Sequence, residues 1–167
     1  GIAPREGVVR TEHKVGGTGN MDNTMMREGA TLYIPVEVEG ALMSVGDVHA
    51  VMGDGEINCS AIEAPAFVTL TITLRKGMGK KMRYPMLKTD EYFSVVASED
   101  TADAAIDASV DTMANLMKDY SDAAFDDISM LLSAVGQVQV CQVSNKFRTV
   151  RFLMPWYVLN ACNFKFF

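Results

Sequence analysis

Alternation of apolar and polar residues predicts several β-strands along the chain. A period of two places every second side chain on one face of a strand, as in a sheet that buries one of its faces. The stretches that show this period are TLYIPVEVEG (31–40), FVTLTITL (67–74), EYFSVVAS (91–98), QVQVCQV (137–143) and FRTVRFLMP (147–155). In FVTLTITL the pattern directs Val68, Leu70, Ile72 and Leu74 towards the core and the threonines outwards.

The last two stretches predict a hairpin, because only Ser144, Asn145 and Lys146 separate them. The pattern directs Val150 and Phe152 inwards. One of the hairpin's two arginines, Arg148 or Arg151, is expected to face an acidic group.

Between residues 100 and 136 the apolar period changes to that of two helices. The first has its apolar stripe at Ile106, Val110, Met113, Met117 and Tyr120, with Ser98 or Thr101 as the N-cap. The second has its stripe at Phe125, Ile128, Leu132 and Val135, with Ser121 as the cap and Gly136 as the stop. The predicted fold is α+β and mainly β: antiparallel sheets in a sandwich or barrel, with a two-helix hairpin packed on a sheet. Residues 1–167 form one domain in this prediction.

Composition and charge argue against some classes of partner and predict a location. The chain is 49% hydrophobic and 22% charged, with a net charge of -6 and no basic stripe, which argues against nucleic acid or an anionic membrane surface as partner. No apolar run reaches the ~20 residues of a membrane span. Three cysteines without a CxxC pair predict a reducing, cytoplasmic location rather than a disulfide framework.

Residues 46–63, GDVHAVMGDGEINCSAIE, concentrate carboxylates and a histidine in a segment punctuated by glycines. Asp54-Gly55 predicts a two-residue hairpin turn, because both residues tolerate positive φ. In that register Asp47 and His49 share one face and could bind one cation, while Cys59 points into the core. Glu63 falls on the apolar side, where the pKa of its carboxyl would rise. Gly-Asp-Gly turns also occur in hairpins that bind nothing, so the alternative is a purely structural turn.

Three blocks of the sequence resemble the acetamidase/formamidase family. They are GNMDN (19–23), GATLYIPVEVEGALMSVGDVHAVMGDGE (29–56) and MLLSAVGQVQVCQVSN (130–145). The resemblance covers the later part of the family's usual chain, so it implies an N-terminal β-rich portion that is absent here and that a separate fragment or subunit could supply. It further implies a homodimer that hydrolyses formamide or acetamide at a metal-dependent site.

Carried onto this chain, the resemblance implies that Asn20, Asp22, Asp47, His49, Asp54, Glu56 and Glu63 belong to the site. Asp22, Asp47 and His49 are the expected metal ligands, and Asn20 is expected to contact the amide. Mixed oxygen and nitrogen donors favour zinc, with calcium as the alternative. Family members often carry a histidine directly before the Gly-Gly-Asn step. Here His13 lies several residues earlier and could replace it.

For proton transfer, Glu63 is the first choice, with Glu56 in reserve and Asp54 as a further candidate. Two other functions stay open at this point. Cys59 could act as the nucleophile of a cysteine amidase, or the chain could be a non-catalytic binding or structural module stabilised by a cation.

Overall fold

A computed structural model describes residues 1–10 and 19–166. His13 therefore lies outside the described residues. The strands are β1 (Thr31–Tyr33), β2 (His49–Val51), β3 (Ile62–Glu63), β4 (Met86–Lys88), β5 (Tyr92–Glu99), β6 (Gln137–Gln142) and β7 (Arg148–Pro155). The helices are α1 (Ala102–Tyr120), α2 (Phe125–Val135) and α3 (Trp156–Ala161), with a 3₁₀ turn at Gly79–Lys81. No described helix is both long and apolar enough to cross a membrane.

Five strands form one antiparallel sheet in the order β1-β4-β5-β7-β6, and β2 pairs with β3 separately. The predicted class, α+β with mainly antiparallel β-structure, is confirmed. The predicted hairpin of β6 and β7 is present, and Val150 and Phe152 are buried in it.

One face of the sheet packs against α1, which contacts β5 and β7 and carries α2 on its side. Phe93, Val95 and Phe152 from the sheet meet Met113 and Met117 from the helix. Burial of these large apolar side chains accounts for the helix stripe in the sequence, since each contributes about 1.5–3 kcal/mol.

The N-cap was predicted correctly for α1 and wrongly for α2, and the predicted stop of α2 at Gly136 is confirmed. The Thr101 hydroxyl accepts a hydrogen bond from Ala104 N at 3.2 Å and begins α1. Ser121 ends α1 instead of beginning α2: its hydroxyl donates to Met117 O at 2.7 Å. The N-cap of α2 is Ala124, which offers no side-chain oxygen. The α2 N-terminus is therefore held mainly by packing.

The C-terminal residues, for which the sequence predicted nothing, complete the core. After α3 the chain turns back, and Phe164 and Phe166 lie 5.6 and 6.3 Å from the Phe93 ring. Tyr120 meets Phe166 edge to face at 4.9 Å. The scattered aromatic residues of the tail have no period, yet they close the end of the helix layer.

The second face of the sheet is more polar. Ser98 and Thr149 pair through their hydroxyls at 2.9 Å, and Arg151 and Gln142 are buried beside them. A register shift between Val140 and Gln142 forms a β-bulge in β6. Gln142 pairs with Thr149 rather than continuing the Val140 face, so the bulge turns it to the polar side.

Two predicted strands are shorter or absent. β1 ends at Tyr33, before Pro35, because proline cannot donate a ladder hydrogen bond. Residues 67–74 form no strand, and Val68, Leu70, Ile72 and Leu74 are exposed, which contradicts their predicted place in the core.

Gly136, between α2 and β6, has no room for a side chain. A Cβ built there would lie 2.3 Å from the Phe152 ring and 2.4 Å from Leu132 O. Gly136→Ala should therefore lower the free energy of unfolding by about 1–3 kcal/mol through overpacking. Urea unfolding measures the loss, and Gly46→Ala is the control because nothing lies within 4 Å of its added Cβ. Equal stability of the two variants would contradict the packing argument.

Candidate metal site

The hairpin predicted at Asp54-Gly55 is wrong in register. In the structure His49 pairs with Glu63 and Val51 with Ile62, with a register shift between the two pairs, so residues 52–61 form a longer loop. The main chain of Gly55 pairs with β6 instead: its N–H donates to Cys141 O at 3.0 Å and its carbonyl accepts from Val143 N at 2.8 Å. These two hydrogen bonds join the loop to the edge of the sheet, which a two-residue turn would not do.

The corrected register moves Glu63 and Cys59. Glu63 lies beside His49 and is exposed, rather than on an apolar face. Hydrogen bonds from Ala61 N and the Ser60 hydroxyl lower the pKa of Glu63, which contradicts the predicted rise. Cys59, predicted in the core, is exposed, with its Sγ 3.4 Å from Ser144 O. The buried cysteine near the loop is Cys141, and burial raises its pKa to about 12, so it is a thiol at neutral pH.

His49 stands between two acidic groups. Asp22 and Glu56 form the first with it, and ligand atoms of the three residues lie within 4.8 Å of one another. Asp47 and Glu63 form the second, each with a carboxylate oxygen 3.1 Å from His49 Nε2. The expected ligand set of Asp22, Asp47 and His49 is thus divided between the two groups. We call the first group the inner triad and the second the outer triad.

The inner triad is the more buried of the two. The side chain of His49 is 10% exposed and Glu56 is 7% exposed, whereas the side chains of Asp47 and Glu63 are about half exposed. Asp47 and Glu56 both have positive φ, 64° and 37°, in the left-handed region that non-glycine residues seldom adopt. Such backbone strain persists only where surrounding contacts hold it, and it is concentrated at functional sites.

Gln142 orders the inner triad, and the sequence offered no signal for it beyond the polar residues of β6. Its Nε2 contacts three oxygens, which share its two hydrogens: Asp22 Oδ2 at 3.2 Å, Glu56 Oε2 and Asn20 Oδ1. Its Oε1 accepts from Asn145 Nδ2 at 2.8 Å, which fixes the orientation of the amide. The bulge in β6 is what brings Gln142 to this side of the sheet. Asn20, which was expected to contact the amide substrate, accepts a hydrogen bond from Gln142 Nε2.

The pKa of Asp22 is raised by burial and by the neighbouring carboxylates. Burial, the charge of Glu56 and a hydrogen bond with Glu56 raise the pKa of Asp22 to about 7, against a smaller opposing effect of His49. Asp22 is therefore partly protonated near neutral pH. A divalent cation would replace that proton and remove the repulsion, so the donor set fits a metal ion.

Asp22→Asn should stabilise the metal-free protein above pH 7. A pKa raised in the folded state means that the folded chain binds more protons than the unfolded chain, so stability falls as pH rises from about 4 to about 7. Because Asp22 is only half-buried, we expect the variant to gain about 1–2 kcal/mol at pH 8 and almost nothing at pH 4. Urea unfolding with a chelator present measures it.

The control for that measurement is Asp107→Asn, which removes an exposed carboxylate from α1. It changes net charge equally but should show no pH-dependent gain. A destabilised Asp22→Asn protein at pH 8 would contradict the crowding argument.

Asp54, a further candidate for proton transfer, is engaged elsewhere. Its Oδ2 lies 2.6 Å from Arg151 Nη2, and its Oδ1 accepts from the Thr24 hydroxyl at 2.7 Å. Arg151 is 3% exposed and also donates to Asn23 Oδ1 at 2.8 Å and to Gln139 Oε1 at 2.7 Å. This confirms the prediction that one arginine of the final hairpin faces an acidic group. The pair ties the loops that carry Asp22 and Glu56 to β7.

Comparison with known proteins relates the chain to a protein family. Residues 5–139 match the sequence profile described as the Acetamidase/Formamidase family. A stretch of 60 residues is 47% identical to the acetamidase of Mycolicibacterium smegmatis and spans 35% of this chain and 15% of that protein. A stretch of 64 residues is 39% identical to the formamidase of Methylophilus methylotrophus, spanning 38% and 16% of the two chains.

Solved structures match over nearly the whole chain. The acetamidase from Bacillus halodurans superposes with a TM-score of 0.90 and 34% identity, over 97% of this chain and 54% of that one. A predicted acetamidase/formamidase from Thermoanaerobacter tengcongensis gives a TM-score of 0.84 and 34% identity, over 99% and 55%. The chain thus spans about half the length of these solved relatives.

Proposed function

Because this chain belongs to the acetamidase/formamidase family, we propose that it carries the metal-binding half of a hydrolase for small linear amides. The substrates of this proposal are formamide and acetamide, which are converted to the carboxylate and ammonia. The observation that supports it most directly is the inner triad: two carboxylates and an imidazole with ligand atoms within 4.8 Å of one another, both carboxylates accepting hydrogen bonds from Gln142. A homodimer, and a cytoplasmic location, stay predictions.

Asp22, His49 and Glu56 would hold the metal ion. Their mixed oxygen and nitrogen donors suit zinc better than calcium, which prefers oxygen alone. When bound, such an ion lowers the pKa of a coordinated water and polarises a carbonyl oxygen. The chain's contribution is to keep the three donors in place, and Gln142 does this by donating to both carboxylates at once.

The outer triad would transfer protons during the reaction. Glu63 is exposed and its lowered pKa keeps it ionised at neutral pH, so it can accept a proton, as a weaker base than a group that titrates near 7. It can take a proton from the attacking water and deliver it to the departing nitrogen. Asp47 holds His49 from the other side, since both carboxylates contact the same Nε2. A hydrogen-bonded imidazole of this kind has a fixed ring orientation.

Zinc binding tests the site without requiring turnover. We expect the chelator-treated chain to bind about one zinc per molecule and to gain about 2.7 kcal/mol of stability when free zinc is 100 times its Kd. Glu56→Gln should weaken zinc binding by about 10–100-fold, whereas Glu63→Gln should leave it within a few-fold of the unmodified chain. Calorimetry and elemental analysis of the purified proteins measure both.

The reaction is tested by ammonia release from formamide and acetamide. Because the chain spans half of its solved relatives, the assay contains zinc and, as a second polypeptide, the portion of the Bacillus halodurans acetamidase that this chain does not match. A chelator should abolish ammonia release and zinc should restore it. If the two polypeptides form a complex and zinc is bound, but no ammonia is released, the metal site is retained and the proposed reaction is refuted.

A further inference from the structure

Residues 66–74 lie outside the core although their sequence is that of a buried strand. All nine are exposed, and among them Leu70, Ile72 and Leu74 are 50%, 72% and 69% exposed. Within the described residues, no backbone hydrogen bond joins this segment to the rest of the chain, and none of it belongs to a sheet. We call residues 66–74 the free strand.

The free strand is the end of a wider apolar surface. Most of the exposed large hydrophobic residues of the described chain lie between residues 36 and 74, and few lie on the helices. Outside the free strand they are Val36, Leu42, Met43, Val45, Val51, Ile57 and Ile62. These residues lie close together in the sequence, and large exposed apolar side chains in such number mark an interaction site in soluble proteins.

The chemistry of the free strand defines what can cover it. Apolar residues alternate with Thr69, Thr71 and Thr73, so one face seeks a core while the main chain offers unpaired N–H and C=O groups. Only another extended backbone satisfies a whole row of such groups, and the alternate apolar side chains then fill pockets beside it. The occupant is therefore a sheet edge with an apolar surface.

The solved relatives indicate which polypeptide that is. Nearly all of this chain superposes on them, yet they contain close to as much chain again. Among the described residues, the exposed apolar side chains are concentrated in residues 36–74, so an additional portion would find its largest apolar surface there. We propose that the free strand docks onto a polypeptide equivalent to the portion of the relatives that this chain does not span, adding a strand to its sheet. The inference concerns assembly and is independent of the reaction.

The test uses two purified polypeptides, this chain and the unmatched portion of the Bacillus halodurans acetamidase. Light scattering should show a one-to-one complex. Hydrogen exchange of the amides of residues 66–74 should slow by at least 100-fold in the complex, while the amides of α1 change little. In this chain alone, the same nine amides should exchange at nearly the rate of an unstructured peptide.

Matched variants separate docking from folding. The double variant Leu70→Asp/Ile72→Asp should weaken the complex by at least 100-fold, because it charges the apolar face. Thr69→Asp/Thr71→Asp introduces the same charge on the other face and should weaken it by less than 10-fold. Since all four side chains are exposed, both variants should keep the melting temperature of the isolated chain.

Three results would overturn the proposal. The first is failure of the two folded polypeptides to associate at 100 µM. The second is a complex in which the free strand still exchanges rapidly. The third is protection of the free strand in the chain alone: if it depends on concentration, a second copy is the occupant, and if it does not, the segment packs within its own chain.

Discussion

Replacing Glu63 by Gln should lower the rate of formamide and acetamide hydrolysis by about 10²–10⁴-fold, the usual contribution of a positioned acid or base. The amide of Gln can still accept a hydrogen bond from His49 Nε2, which lies 3.1 Å from the carboxylate. It cannot accept a proton, so the loss should be in kcat, with zinc content unchanged.

The pH dependence of the unmodified protein is a second readout. The lowered pKa of Glu63 places its protonation below the usual 4.5, so a loss of activity nearer neutral pH is assigned to protonation of the metal ligand Asp22 and not to Glu63. Glu56→Gln is the comparison that loses zinc, and Glu37→Gln, on the exposed surface, is the control that should lose nothing. A Glu63→Gln protein with unchanged kcat would remove Glu63 from the mechanism.

The helices and the central strands were predictable because their local pattern and their tertiary packing agree. The stripe of α1 that includes Met113 and Met117 is the stripe that packs on β5 and β7. The same holds for Val150 and Phe152 in β7, whose alternation matches their burial. Where a segment buries one face against its neighbours, a period in the sequence is sufficient to place it.

The loop around Asp54-Gly55 could not be placed from sequence because its partner is distant. A local turn signal competes with hydrogen bonds to Cys141 on β6 and to Val143 directly after it, about 90 positions along the chain, and the distant pairing is the one that forms. The bulge that rotates Gln142 towards Asp22 and Glu56 is equally invisible, since an alternating strand gives no sign of one extra residue. The structure places Asp22 and Glu56 with His49 on one side and Asp47 and Glu63 with it on the other, whereas the sequence grouped Asp22 and Asp47 with His49.

In the free strand, the sequence pattern and the packing within the described chain disagree. Its alternation is that of a strand with a buried face, but no strand within the described chain pairs with it. A sequence pattern reports the environment in which a segment evolved to be buried, which can include polypeptide outside the chain in hand. The pattern and the exposure are compatible once a partner is supplied.

Arg151→Met should lower the free energy of unfolding by about 2–3 kcal/mol and should weaken zinc binding as well. Removing one partner of a buried ion pair usually costs 3–5 kcal/mol, and the smaller figure applies here because Asp54 is 41% exposed and water can solvate it. The variant also leaves Asn23 Oδ1 and Gln139 Oε1 without their donor. For a chain of this size the melting temperature should fall by roughly 5–10 °C.

The expected loss of zinc binding follows from the residues that the Arg151 guanidinium contacts. Its guanidinium holds Thr24 at 3.1 Å and Asp54 at 2.6 Å, each two residues from a member of the inner triad, Asp22 and Glu56. Release of both loops should weaken zinc binding by about 10-fold or more, as removal of supporting contacts does at other metal sites. Thermal melts and zinc titration measure the two effects separately.

Arg148→Met is the matched control, because Arg148 lies on the same strand but is only half-buried and donates to Asn145 O at the hairpin end. It should cost less than about 1 kcal/mol, as for most side chains near the surface. Asp54→Asn keeps an acceptor for Arg151 and should fall between the two. If Arg151→Met lost stability yet bound zinc normally, Arg151 would support the fold without positioning the site, and Gln142 together with the main-chain hydrogen bonds of Gly55 would hold the loops.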